Sequence, residues 1–142
     1  MSTVVHSTAT AFRLALAAAL EGELGMPVVA GRVDGATKQR AVCCVWPIRR
    51  VRPSDHVLEE DIVLGVRCWM RWRDPKDADR PIDPTPLEDL SERLLAALSA
   101  AQTSLGPWFL DVQNLSYDVE AQGIEATVAG RQWNPFAMCE EG

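Results

Sequence analysis

The sequence predicts an α+β domain, a mostly antiparallel β-sheet with two α-helices packed on one face. Three observations carry this expectation. From Leu87 to Leu105 apolar residues recur at helical spacing, and from Ile62 to Arg73 they alternate with period two. In addition, the strand-like segments follow one another in adjacent runs instead of alternating with helices, which favours antiparallel pairing over parallel crossovers. With 142 residues, a single domain over 1–142 with one hydrophobic core is expected.

The elements follow in order. Ser7 or Thr8 can cap a first helix that places Phe12, Leu16 and Ala19-Leu20 on one face before Gly22 and Gly25 stop it. Met26 to Val33 reads as a short extended piece around Val28-Val29, ended by the turn Asp34-Gly35. Arg40 to Arg52 is a strand whose centre, Ala41 to Trp46, is nearly all apolar, as in a strand covered on both faces. In the next strand Ile62, Leu64, Val66, Cys68, Met70 and Trp72 share one face, and Asp74 to Pro84 is a surface loop rich in Asp and Pro.

Thr85-Pro86-Leu87-Glu88 begins the second helix, with a capping box between Thr85 and Glu88 and proline at the first turn. Its stripe is Leu87, Leu90, Leu94, Leu98, Ala101 and Leu105, and Gly106-Pro107 ends it. Trp108 to Gln113 and Leu115 to Ala121 are extended, and Gln122-Gly123 turns the chain into Ile124 to Gly130, a C-terminal hairpin.

Composition excludes several function classes. The net charge of −6, from 20 acidic and 14 basic residues, offers no general attraction to phosphate backbones, so sequence-specific nucleic-acid binding is not expected. Ala11 to Leu20 imitates a secretory signal, but no Lys or Arg precedes it, Arg13 interrupts it, and it is too short for a bilayer. The expectation is a soluble protein with no membrane partner. The four cysteines, Cys43, Cys44, Cys68 and Cys139, are too scattered for a disulfide framework and read as free thiols of a reducing compartment.

No catalytic or cofactor motif assembles. Ser54-Asp55-His56 holds the residue types of a hydrolase triad, yet neighbours on one loop do not converge as a triad requires. His56 with Glu59 and Glu60 has only His6 as a further histidine, and no Cys-x-x-Cys pair exists, too thin a ligand set for a metal centre. Asp77, Asp79, Asp83 and Glu88 imitate a calcium loop, but Ile82 stands where the sharp turn needs glycine. Phosphate loops, nucleophile elbows and dinucleotide fingerprints are absent, and Asn114-Leu115-Ser116 is a sequon without consequence in the cytosol. Neither an enzyme nor a cofactor is expected.

Two non-catalytic features remain. Arg32, Lys38, Arg40, Arg49, Arg50 and Arg52 stand against Asp34 alone, while Asp74 to Glu92 is strongly acidic. Such segregation suits docking to copies of the chain or to a partner, with solvated charge as the plainer explanation. Apolar groups also fall where a sheet face should be open: Val63 and Trp69 beside Arg67 and Arg71, Trp46 beside Pro47-Ile48, and Trp133 with Pro135-Phe136. Tryptophan with arginine is the composition of interface anchors, and a cation–π stack of Trp69 on Arg67 or Arg71 is the competing role. The candidate interface with a second subunit or a partner is therefore Trp46, Arg49, Arg50, Arg52, Trp69, Arg71, Asp77, Asp79, Trp133 and Phe136.

In the order and texture of these elements the chain resembles the tail-terminator, or tail-completion (minor tail), proteins of long-tailed bacteriophages. The likeness runs from the short N-terminal helix through the strands at Ala41 to Trp46 and Ile62 to Arg73, the start Thr85-Pro86-Leu87-Glu88, and the hairpin from Tyr117-Asp118-Val119-Glu120 to Thr127-Val128. It implies a viral structural protein without catalytic residues. It implies a homohexameric ring that caps the tail tube, partners the tube protein and the head–tail connector, and lets DNA pass. The location implied is the head–tail junction of the virion, after synthesis in the host cytoplasm. The alternatives are another connector or tail-associated subunit and a monomeric ligand-binding module.

Overall fold

The computed structural model describes residues 8–31, 41–51, 59–70, 83–119 and 122–133. The fold is the expected α+β arrangement. Helix α1 (Thr8–Leu24) leads through β1 (Val28–Val29) to β2 (Ala41–Val51) and β3 (Glu59–Met70); α2 (Thr85–Ala101) and a 3-10 turn (Gln102–Ser104) precede β4 (Phe109–Asp118) and β5 (Gly123–Trp133). The sheet has the order β1-β2-β3-β5-β4. Among the described strands only β1 runs parallel to its neighbour, pairing Val28 with Cys43 and Val29 with Cys44.

Both helices cover the same sheet face. Phe12, Leu16 and Leu20 of α1 and Leu87, Leu90, Leu94, Leu98 and Ala101 of α2, with Leu105 just beyond it, join Cys43, Val45, Ile62, Leu64, Val66, Cys68, Ile124, Ala126 and Val128 in one core. Every member of the α2 stripe is buried, because spacings of three and four residues bring those positions round to one side of a helix. Helix α1 lies against β2 and β3, and α2 against β5 and β4.

Several boundaries differ from the sequence expectation. Gly22 does not stop α1, since the backbone stays helical to Leu24, and the stop is Gly25 with φ +67°. Its N–H donates to the Glu21 carbonyl at 3.2 Å, closing the left-handed cap that glycine adopts without a Cβ clash. The Arg93 guanidinium then donates to the Leu24 carbonyl at 3.0 Å, so α2 satisfies the exposed end of α1.

The capping box of Thr85 and Glu88 is not formed. Pro84 occupies the cap position without a side-chain bond, and Asp83 accepts from the Thr85 N–H at 3.0 Å and from its hydroxyl at 2.8 Å. The threonine hydroxyl is thus a donor to Asp83, not an acceptor for the helix. Strand β3 begins at Glu59, earlier than expected, because Glu59 and Glu60 pair through their backbones with Trp133 and Gln132. The two extended segments at residues 109–118 are one strand, β4, with a bulge between Val112 and Asn114. Asp34-Gly35, Ser54-Asp55-His56 and most of the Asp74 to Pro84 loop lie outside the described residues.

Candidate functional site

The sheet face turned away from the helices carries Val42, Cys44, Trp46 and Trp69 as a small separate cluster. Trp69 was expected to stand exposed on this face, yet it is 2% exposed. A side chain on Gly123, its partner across β3 and β5, would come within 2.8 Å of the Trp69 ring, so the glycine leaves the space that the indole fills. The Arg67 guanidinium lies 4.6 Å from the ring centroid on the same tryptophan, the cation–π contact that competed with an anchor role. Arg67 also meets Asp118 at 3.5 Å. Val42, Cys44 and Val63 are buried as well. Trp69 is therefore buried within the chain and is not an exposed anchor. Trp46 is partly buried, its indole across Gly65, where any Cβ would overlap the ring.

The exposed features sit instead at the two edges of the sheet. At one edge, β1 accompanies β2 only to Cys44, and Pro47, Ile48, Arg49, Arg50 and Val51 follow as exposed positions. Pro47 removes a donor and the register shifts between Pro47 and Arg49, both devices that blunt a strand edge. Ile48 and Val51 remain 42% and 38% exposed among the arginines. A cavity of about 240 Å³ opens here, lined by Ala9, Thr10 and Arg13 of α1 together with residues 47–50 and 62–64. Arg13 is itself held by the Ala30 carbonyl.

At the opposite edge β4 runs ten residues with nearly every position open. Phe109 is 68% and Tyr117 52% exposed, and Asp111 and Asp118 add negative charge. Glu88, Asp89 and Glu92 of α2 are exposed as well, on the helix side of the sheet. Gln102 braces the approach to β4: its amide donates to the Trp108 carbonyl at 2.6 Å and its oxygen accepts from the Leu110 N–H at 2.8 Å.

The register places these edges level with each other. Arg49 lies opposite Val63, Val63 opposite Ala129, and Ala129 opposite Asp111, so Arg49 and Asp111 end one transverse row on the face away from the helices. The adjacent row, Val51, Asp61, Arg131 and Phe109, is held by Arg131 donating to Asp61 at 2.8 and 3.2 Å. With strands about 4.8 Å apart, three steps separate Arg49 and Asp111 by roughly 14 Å of sheet. Sequence reasoning missed Asp111 and Phe109 because nothing local marks them, and only strand pairing sets them opposite Arg49 and Val51.

Of the other expected interface residues, Arg50 is exposed beside Arg49. Trp133 is described through its backbone pairing with Glu59. Arg52, Arg71, Asp77, Asp79 and Phe136 lie outside the described residues. Among the described residues no group of three or more His, Cys, Asp or Glu could hold a metal ion, and no helix is long and apolar enough to cross a membrane. Asp83 of the calcium-like pattern is engaged by Thr85. No protein-family model matches the chain, and no curated protein matches it in sequence.

Proposed function

We propose that this chain is a structural assembly protein of the tail-terminator kind, which works as a closed ring of identical subunits. The observation that carries the reading is the row from Arg49 to Asp111: opposite charges stand at opposite edges of one sheet, on one face and at one level. A copy shifted sideways along the row meets its neighbour with Asp111 toward Arg49 and with exposed Phe109 toward exposed Val51. That contact is heterologous, and head-to-tail contacts between identical subunits close into rings when the rotation permits. Charge of this kind sets register and orientation more than affinity.

The number six, the tail tube and the head–tail connector as partners, and the location at the head–tail junction of a virion come from the resemblance. In such a ring the chain would leave passing DNA unread, in keeping with its net charge of −6. Light scattering of the purified protein across concentration, together with electron microscopy of the protein mixed with tail tubes, tests the reading. Rings or capped tube ends are expected. A monomer in both settings, with tubes left open, would reject it in favour of a monomeric binding module.

A further inference from the structure

Cys43 and Cys68 are direct partners across β2 and β3, both fully buried on the helix face, and the Cys68 thiol donates to the Cys43 sulfur at 3.1 Å. The backbone around them shows which kind of pair this is. The Cys43 N–H donates to the Pro27 carbonyl at 2.9 Å, toward β1 and away from β3. On the other side, the Met70 N–H donates to the Gln122 carbonyl at 3.1 Å, toward β5, and Cys68, two residues earlier, has the same orientation. Cys43 and Cys68 therefore form a non-hydrogen-bonded pair, the closer of the two antiparallel kinds, with Cα atoms typically about 4.5 Å apart. Disulfides span Cα separations of about 4.4–6.8 Å, so a bond needs the sulfurs roughly 1 Å nearer and little backbone movement.

We propose that Cys43 and Cys68 are a latent disulfide site, which a small-molecule disulfide oxidises into a covalent link between β2 and β3. Neighbouring Cys44 does not compete, since it packs on the opposite face with Val42, Trp46 and Trp69. The chemistry balances as two exchanges. One protein thiolate attacks the reagent, a mixed disulfide forms, and one small thiol leaves. The second protein thiolate then attacks the mixed-disulfide sulfur bonded to the first cysteine, the cross-strand bond forms, and a second small thiol leaves. Two protein thiols are oxidised, the reagent is reduced to two thiols, and the protons of the protein thiols end on them. In the folded chain, the contact with Cys68 and burial push the Cys43 thiol far above its ordinary value, so Cys43 is a poor nucleophile while the strands are closed. The site reacts while the strands are opening or forming. Once made, the bond closes the chain segment between the two cysteines, which includes the basic edge at Pro47 to Val51, and removes open conformations from the unfolded chain.

The test is to refold the full chain from denaturant with oxidised or reduced glutathione, block remaining thiols, and map the non-reduced peptides by mass. Oxidative refolding should yield a monomer lighter by two hydrogens, a peptide joining Cys43 to Cys68, and a higher urea midpoint that returns to the reduced value on adding reductant. Cys43→Ala should lose the linked peptide and the shift. A chain retaining only this pair, Cys44→Ala with Cys139→Ala, should keep both; if that variant does not fold, the wild-type peptide map decides. A different dominant pairing, persistent mixed disulfides, or free thiols at both positions after oxidative refolding would overturn the proposal.

Discussion

The ring of Phe12 fills the space that a side chain at Gly130 would need, since a Cβ on that glycine would overlap Cζ and both Cε atoms of the ring. The same ring lies 5.2 Å from that of Trp108, tilted by 34°. Helix α1 is thus seated on β5 by a glycine beneath an aromatic. Phe12 is fully buried and cannot swing into solvent, so Gly130→Ala should destabilise the fold by about 1–3 kcal/mol, as overpacking does. Urea unfolding checks this, and Phe12→Leu in the same chain should recover part of the loss.

Leu94 faces the core and Leu95 beside it on α2 is 39% exposed. Leu94→Ala should cost about 2–5 kcal/mol, combining lost burial with a residual cavity. Leu95→Ala should stay within about 0.5 kcal/mol, as surface changes do. Equal losses in denaturant melts would mean that the helix presents a different face.

At the start of α2, the Thr85 backbone N–H and then its hydroxyl hold the Asp83 carboxyl below its ordinary value. A carboxylate lowered on folding stabilises the fold above its unfolded value of about 3.9 and loses that contribution as pH falls through the lower folded value. Asp83→Ala should therefore lower the urea midpoint at neutral pH, and the gap to wild type should close in strong acid. A gap unchanged down to about pH 2 would show that the carboxylate charge is irrelevant.

If the ring closes through the sheet edges, reversing Arg49 to Glu or Asp111 to Lys should raise the protein concentration needed for assembly. Combining both reversals should lower it again. Each exposed pair contributes on the order of 1 kcal/mol or less, so the shift per variant should be several-fold. Circular dichroism should match wild type throughout. Assembly indifferent to all three variants would move the subunit contact away from these edges.

The α2 stripe was legible in the sequence because helical periodicity is local: Leu87, Leu90, Leu94 and Leu98 are neighbours on one face whatever surrounds them. The alternation of Ile62, Leu64, Val66 and Cys68 and the hairpin joining β4 to β5 were legible for the same reason. The cap of α2 was misread because Asp83 and Thr85 exchange the roles their spacing suggests, a choice made by hydroxyl orientation. Trp69 was misread because the room for its indole depends on Gly123, 54 positions away.

By itself, then, the sequence determined which segments are helix and strand, since these follow from spacing within each segment, and the adjacent runs of strands favoured both helices on one sheet face. The tertiary structure alone decided that β1 pairs parallel with β2, that Cys43 meets Cys68, and that Arg49 and Asp111 end the same row. Those relations are matters of strand register between distant segments. A shift of one residue would turn each side chain to the other face, and register is settled only when the whole sheet and its core close together.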